Sequence, residues 1–190
     1  MVIYFDCLII YVNGSYDNMN KYTFQESLDT ADIGTEHVTN FLFSLPNTIN
    51  VENVEGDVTY QKQDVDLVWQ TDNLKKLTIE IKVDNYAHSG NYFFETISNV
   101  GKKTEGCFMY SEADLLFYYF LNQELHIFNL AKARKWFIEN QDDFRTVRTS
   151  TGVGNGRYQT EGALVKRDRF KRDCKCDLII TKFKDSWIIK

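Results

Sequence analysis

The sequence predicts an α/β domain in which helices flank a mixed central β-sheet, and three stretches carry that prediction. Residues 77–84, Leu-Thr-Ile-Glu-Ile-Lys-Val-Asp, alternate apolar and polar without a break, the period-2 pattern of a half-buried strand. From Phe24 to Leu45, the apolar residues Phe24, Leu28, Ala31, Val38, Phe41, Leu42 and Leu45 recur at helical spacing until Pro46 stops the pattern. Leu115 to Leu121 is a continuous aromatic and aliphatic run, which predicts a strand buried at the centre of a sheet. With 190 residues, 43% of them hydrophobic, the chain is one domain long and has the material for a sizeable core.

In chain order, Met1 to Val12 is apolar but contains Asp6 and lacks a basic leading region. It is too short to span a bilayer, so residues 1–23 read as a leader or an extra strand, with Met19 as an alternative start. After the long helix, Ile49 to Tyr60 reads as a strand or an irregular hairpin arm. Gln61 to Trp69 reads as its neighbour, with Val65, Leu67 and Trp69 on one face and Asp64, Asp66 and Val68 on the other. The polar residues 70–76 then form a hairpin connection into the 77–84 strand.

Residues 84–91 are a loop by composition and hold His88; Tyr92 to Ser98 resumes a strand that carries Glu95. Gly101 to Gly106 is a basic loop. Ser111 with Asp114 has the spacing of a helix start. Leu125 to Leu130 predicts a strand, and Asn129 caps a helix over 130–140 whose Ala131, Trp136 and Phe137 face the core.

Charge is divided unevenly along the chain. Residues 132–190 hold 15 Lys and Arg against 8 Asp and Glu, whereas residues 1–131 hold 7 against 19. An acidic body joined to a basic tail suits a protein that gathers cations at its acids and phosphates at its basic surface. Gly152, Gly154 and Gly156 lack dinucleotide-fingerprint spacing, so they read as a surface loop or a hairpin tip that enters a DNA groove. The four cysteines include Cys174 and Cys176, whose C-x-C spacing supports a zinc site only weakly. Reduced thiols in an intracellular, cytoplasmic protein are the expectation.

Glu80 and Lys82 leave the 77–84 strand on the same side, and pairing with the preceding strand brings Asp66 close to Glu80. A hard dication such as Mg²⁺ takes oxygen ligands, and Asp66, Glu80 and the Ile81 carbonyl would supply a half-shell. Lys82 would stand where it can orient a water nucleophile or stabilise phosphoryl charge. That is the chemistry of metal-assisted phosphodiester hydrolysis. The alternative is an ordinary Glu-x-Lys charge pattern on a solvated sheet face.

An acid on one strand followed by Glu-x-Lys on the next resembles the PD-(D/E)XK nuclease superfamily, here as Asp66 and Glu80-Ile81-Lys82, with Val65 in the place of the naming proline. Asp32-Ile33-Gly34-Thr35-Glu36 is similar to the first helix of that family, where a Gly precedes an acid facing the site. The similarity nominates Glu36 as an accessory acid, beside the reading of a solvent-facing Glu. Gly90 to Thr96 resembles a strand of phage and bacterial members that carries an acid near the metals. It nominates Glu95, beside the reading of a structural Glu satisfied by Lys102.

The resemblance implies a restriction-endonuclease-like core over residues 24–140, with 141–190 a basic extension packed on the same domain. It implies a Mg²⁺-dependent DNA endonuclease, with Mn²⁺ as a substitute. Asp66 and Glu80 would hold the metal with Ile81 and Glu95 beside it, and Lys82 would assist the attacking water. Family members include restriction enzymes and junction resolvases, and a homodimer is compatible with the resemblance. DNA is then the partner and no membrane is involved. The alternative is a catalytically silent nucleic-acid-binding or inhibitory protein on the same fold.

Overall fold

The computed structural model describes residues 24–153, 156–184 and 186–189, so the expectations for residues 1–23 and for the tip at Gly154 lie outside the described residues. The chain forms an α/β fold built on a mixed seven-stranded sheet with flanking helices. The opening helix α1 (Phe24–Ser44) leads into β1 (Thr48–Asn53), α2 (Val58–Gln63), β2 (Leu67–Thr71) and β3 (Lys76–Asp84). β4 (Asn91–Asn99), β5 (Thr104–Glu105) and α3 (Cys107–Tyr110) intervene before β6 (Leu115–Phe120), β7 (Glu124–Asn129) and α4 (Leu130–Asn140). The chain ends with β8 (Arg145–Val153), β9 (Gly156–Lys166), α5 (Arg167–Asp173), β10 (Ile179–Lys184) and β11 (Ser186–Ile189).

The large sheet runs β1-β2-β3-β6-β7-β10-β11 and the small one β5-β4-β9-β8. β1, β2 and β3 form an antiparallel meander, and β6 then lies parallel to β3 with Ile81 opposite Phe117. β6 sits at the centre of the large sheet, as its unbroken apolar run predicts. Residues beyond 140 complete both sheets, since β9 pairs with β4 and β10 with β7.

Alternation along each strand assigns the two cores. Ile79, Ile81 and Val83 of β3, with Phe117 and Tyr119 of β6, pack under Val38, Phe41 and Leu42 of α1. Gly34 is what lets α1 settle there, because a Cβ at that position would overlap the Val83 side chain. Leu116, Tyr118 and Phe120 turn to the opposite face and meet Tyr92 and Phe94 of β4, Phe137 of α4 and Phe170 of α5. The large sheet is therefore covered on both sides.

Several local expectations change. Val58 to Gln63 is helical, not extended: the Asp57 side chain accepts the Thr59 amide at the N-terminus, and Asp64 ends the turn in the left-handed region at φ 54. Hydrophobic Val58 therefore marks an exposed helix face, not a strand face. Ser111 starts no helix. Its hydroxyl donates to the Asp64 carbonyl at 2.8 Å, while Asp114 accepts from Thr78, so both caps serve a tertiary turn. The segment predicted as a basic loop contains the short strand β5, and the inner face of α4 is Leu130, Ala133 and Phe137, with Ala131 exposed. The Asn129 cap is present, its side chain accepting the Lys132 amide at 2.9 Å. Among the described residues no helix is long and apolar enough to cross a membrane.

Candidate metal centre

Glu80, Lys82 and Asp84 occupy the face of β3 away from α1, and the small sheet with α3 covers them. A face that the alternation pattern assigns to solvent is thus interior, with Glu80 1% and Lys82 2% exposed. Charges this deep persist only when other groups compensate them.

The antiparallel β2–β3 pairing, Leu67 opposite Ile79, sets Asp66 beside Glu80. The Asp66 carboxylate accepts the Ile81 amide at 2.7 Å and makes a side-chain hydrogen bond with Glu80. Burial pushes the Asp66 carboxyl up to about 8, helped by the charges of Glu55 and Asp64 and opposed by the Ile81 and Glu80 contacts. An acid so reluctant to ionise sits among acids whose combined charge a cation would relieve.

Three further residues complete the cluster. Lys82 Nζ lies 3.6 Å from Glu95 Oε2 and donates to Cys107 Sγ, also at 3.6 Å. Gly106 permits this, since a Cβ there would stand 2.5 Å from the Glu95 carbonyl oxygen and 2.7 Å from its Cγ. The left-handed turn at Asp64 brings its carboxylate inward, where the Tyr110 hydroxyl donates to Oδ1 at 2.8 Å. One donor atom from each of Asp64, Glu80 and Cys107 lies within 4.8 Å of the others, and all three residues are buried. Arg134 of α4 holds α3 in place, with Nε donating to the Phe108 carbonyl at 2.8 Å and an Nη to that of Ser111 at 2.6 Å.

The structure brings Asp66, Glu80, Lys82 and Glu95 together and leaves Glu36 out. Glu36 is exposed on α1, which lies across the sheet from Glu80 and Lys82. Glu95 meets Lys82 instead of the exposed Lys102. Ile81 contributes its amide, as the donor to Asp66. Asp64 and Cys107 are the members that sequence reasoning missed. The alternation over 61–69 predicts a strand face for Asp64, whereas Asp64 instead ends the short helix α2 in the left-handed region. Cys107 has no sequence signal, being 25 residues from Lys82 and joined to it only by the fold.

The carboxylates of Asp64, Asp66 and Glu80 are donors that fit a divalent cation. The thiol of Cys107 suits a softer one than Mg²⁺. His88 is exposed, its ring beside that of Tyr86, while Cys174 and Cys176 are buried and hydrogen-bonded to each other. No family model, curated protein or solved structure matches this chain.

Proposed function

We propose that the protein is a divalent-metal-dependent DNA endonuclease with a restriction-endonuclease-like core, working with Mg²⁺ or Mn²⁺. What supports this is the contact of Asp66 with Glu80 beside Lys82, on strands that follow a helix–meander–crossover–parallel-strand order. Asp66 and Glu80 would hold the cation, which when bound supplies acidity to water and charge neutralisation to a phosphoryl group. Lys82, fixed between Glu95 and Cys107, would place its ammonium against charge that develops on the phosphoryl oxygens. Exposed Arg145, Lys166, Lys171 and Lys175 would supply sequence-independent phosphate contacts.

The burial of Glu80, Lys82 and Glu95 favours a second reading, a catalytically silent nucleic-acid-binding or inhibitory protein whose charges serve the interior. Incubation with supercoiled, single-stranded and four-way-junction DNA separates the two. Cutting in Mg²⁺ or Mn²⁺ that chelator, Asp66→Ala and Glu80→Ala each abolish is the expected result. Binding with no cutting under any metal establishes the silent protein.

A further inference from the structure

We infer that Asp64, Glu80 and Cys107 form a mixed carboxylate–thiolate site for a borderline-soft divalent cation of the Zn²⁺ class, sharing Glu80 with Asp66. The site does not depend on nuclease activity; it rests on donor chemistry and on how three separate elements converge. Asp64 comes from the left-handed end of α2, Glu80 from the middle of β3, and Cys107 from the start of α3. Their donor atoms lie within 4.8 Å of one another. Tetrahedral Zn²⁺, with bonds near 2.0 Å to oxygen and 2.3 Å to sulfur, holds two oxygens and a sulfur roughly 3.3–3.5 Å apart. Closing that gap takes side-chain rotations of ångström size, not a rearrangement of the sheet.

The ligands are already oriented by neighbours. The Tyr110 hydroxyl fixes Asp64 Oδ1 at 2.8 Å, and the Ser111 hydroxyl holds the Asp64 carbonyl at 2.8 Å. Lys82 Nζ donates to the Cys107 sulfur. Such outer contacts are what set ligand direction in metal sites. A magnesium shell has no use for sulfur, whereas a thiolate selects metals of the zinc class over Mg²⁺ and Ca²⁺. Glu95 is paired with Lys82, and the Arg134 guanidinium acts on Asp64 and Cys107 from α4, but Asp64 and Glu80 still place two buried carboxylates beside one thiol, a donor set that a dication satisfies. On binding, the Cys107 S–H bond breaks, its proton passes to solvent, and sulfur donates its electron pair to the metal without any change of oxidation state.

Co²⁺ titrated into the full chain is the probe, because thiolate coordination gives a sulfur-to-cobalt charge-transfer band in the near ultraviolet. The band should appear, survive a large excess of Mg²⁺, and disappear when Zn²⁺ displaces the cobalt. Cys107→Ser should abolish it, and a variant keeping Cys107 as its only cysteine should retain it, so that failure of either variant to fold leaves the other decisive. Loss of the Cys107 ligand should weaken Zn²⁺ binding by about 100-fold or more, and Tyr110→Phe by about 10–100-fold, the range for an outer partner. Absence of the band in the native chain, or its persistence in folded Cys107→Ser, overturns the site. Because this readout is spectroscopic, the site can stand while DNA cleavage fails, and cleavage can stand while the band is absent.

Discussion

Lys82 and Glu95 form an interior ion pair between the two sheets, Nζ to Oε2 at 3.6 Å, with side chains 3% and 1% exposed. β3 and β4 belong to different sheets, so this pair ties the sheets together at the centre of the candidate site, and the Lys82–Cys107 contact joins β3 to α3 beside it.

Removing one partner should be worse than removing both. Lys82→Met leaves the Glu95 carboxylate buried without its cation and should cost about 3–5 kcal/mol. Lys82→Met with Glu95→Gln should recover a large part of that loss, although neither protein should cleave DNA if Lys82 serves phosphoryl chemistry. Urea unfolding of the single and double variants checks it; equal midpoints for the two would show that the pair is not coupled.

Gly106 should resist any side chain. Gly106→Ala places a methyl 2.5 Å from the Glu95 carbonyl oxygen, and backbone there must move, at roughly 1–3 kcal/mol. Gly56→Ala, with no atom within 4 Å of the new methyl, should change stability by less than about 0.5 kcal/mol. Paired thermal melts of these two variants test the close approach of α3 to β4.

Arg134 should govern how often α3 opens. Its fork spans the Phe108 and Ser111 carbonyls, and lysine cannot reproduce a two-pronged contact. Arg134→Lys should cost on the order of 1.5–3 kcal/mol, the range for hydrogen bonds from charged groups. Faster hydrogen exchange in residues 107–111 and faster alkylation of Cys107 are the expected signs. Unchanged protection would mean that the aromatic core alone holds α3.

His126 makes stability depend on pH. Burial pulls its pKa down to about 4, against the raising contact with Glu124, while an unfolded histidine titrates near 6.5. The neutral ring fits its surroundings: Nδ1 meets the Tyr92 hydroxyl at 2.5 Å and Nε2 the Glu124 carboxylate at 3.1 Å. The unfolded chain therefore binds the proton first. The His126 contribution is complete above pH 6.5 and is lost as pH falls through about 4, at a slope of up to about 1.4 kcal/mol per unit between those limits. Urea midpoints at pH 7.5, 6 and 5 should fall in the native chain and flatten in His126→Gln.

Much of the architecture was legible in the sequence because local chemistry determined it. The helical spacing of Val38, Phe41 and Leu42, the alternation through Ile79, Ile81 and Val83, and the unbroken run of β6 each follow from a side-chain period and a burial requirement. Asn129 capped its helix as expected, since a cap involves only neighbours along the chain. These patterns also put Glu80 and Lys82 on one face and Asp66 within reach of them.

What lay on that face was decided by tertiary structure. Strand alternation says which residues share a side, not whether water or a second sheet covers it, and here a second sheet does, with β4 and the far more distant β9 (Gly156–Lys166). The same limit hid Cys107 and Asp64, which reach Glu80 only through a left-handed turn and a glycine contact. Glu36 shows the converse: its local motif could nominate it, but packing set α1 on the opposite face of the sheet. Periodicity is a property of neighbouring residues, whereas a buried cluster of acids, an ammonium and a thiol exists only where distant segments meet.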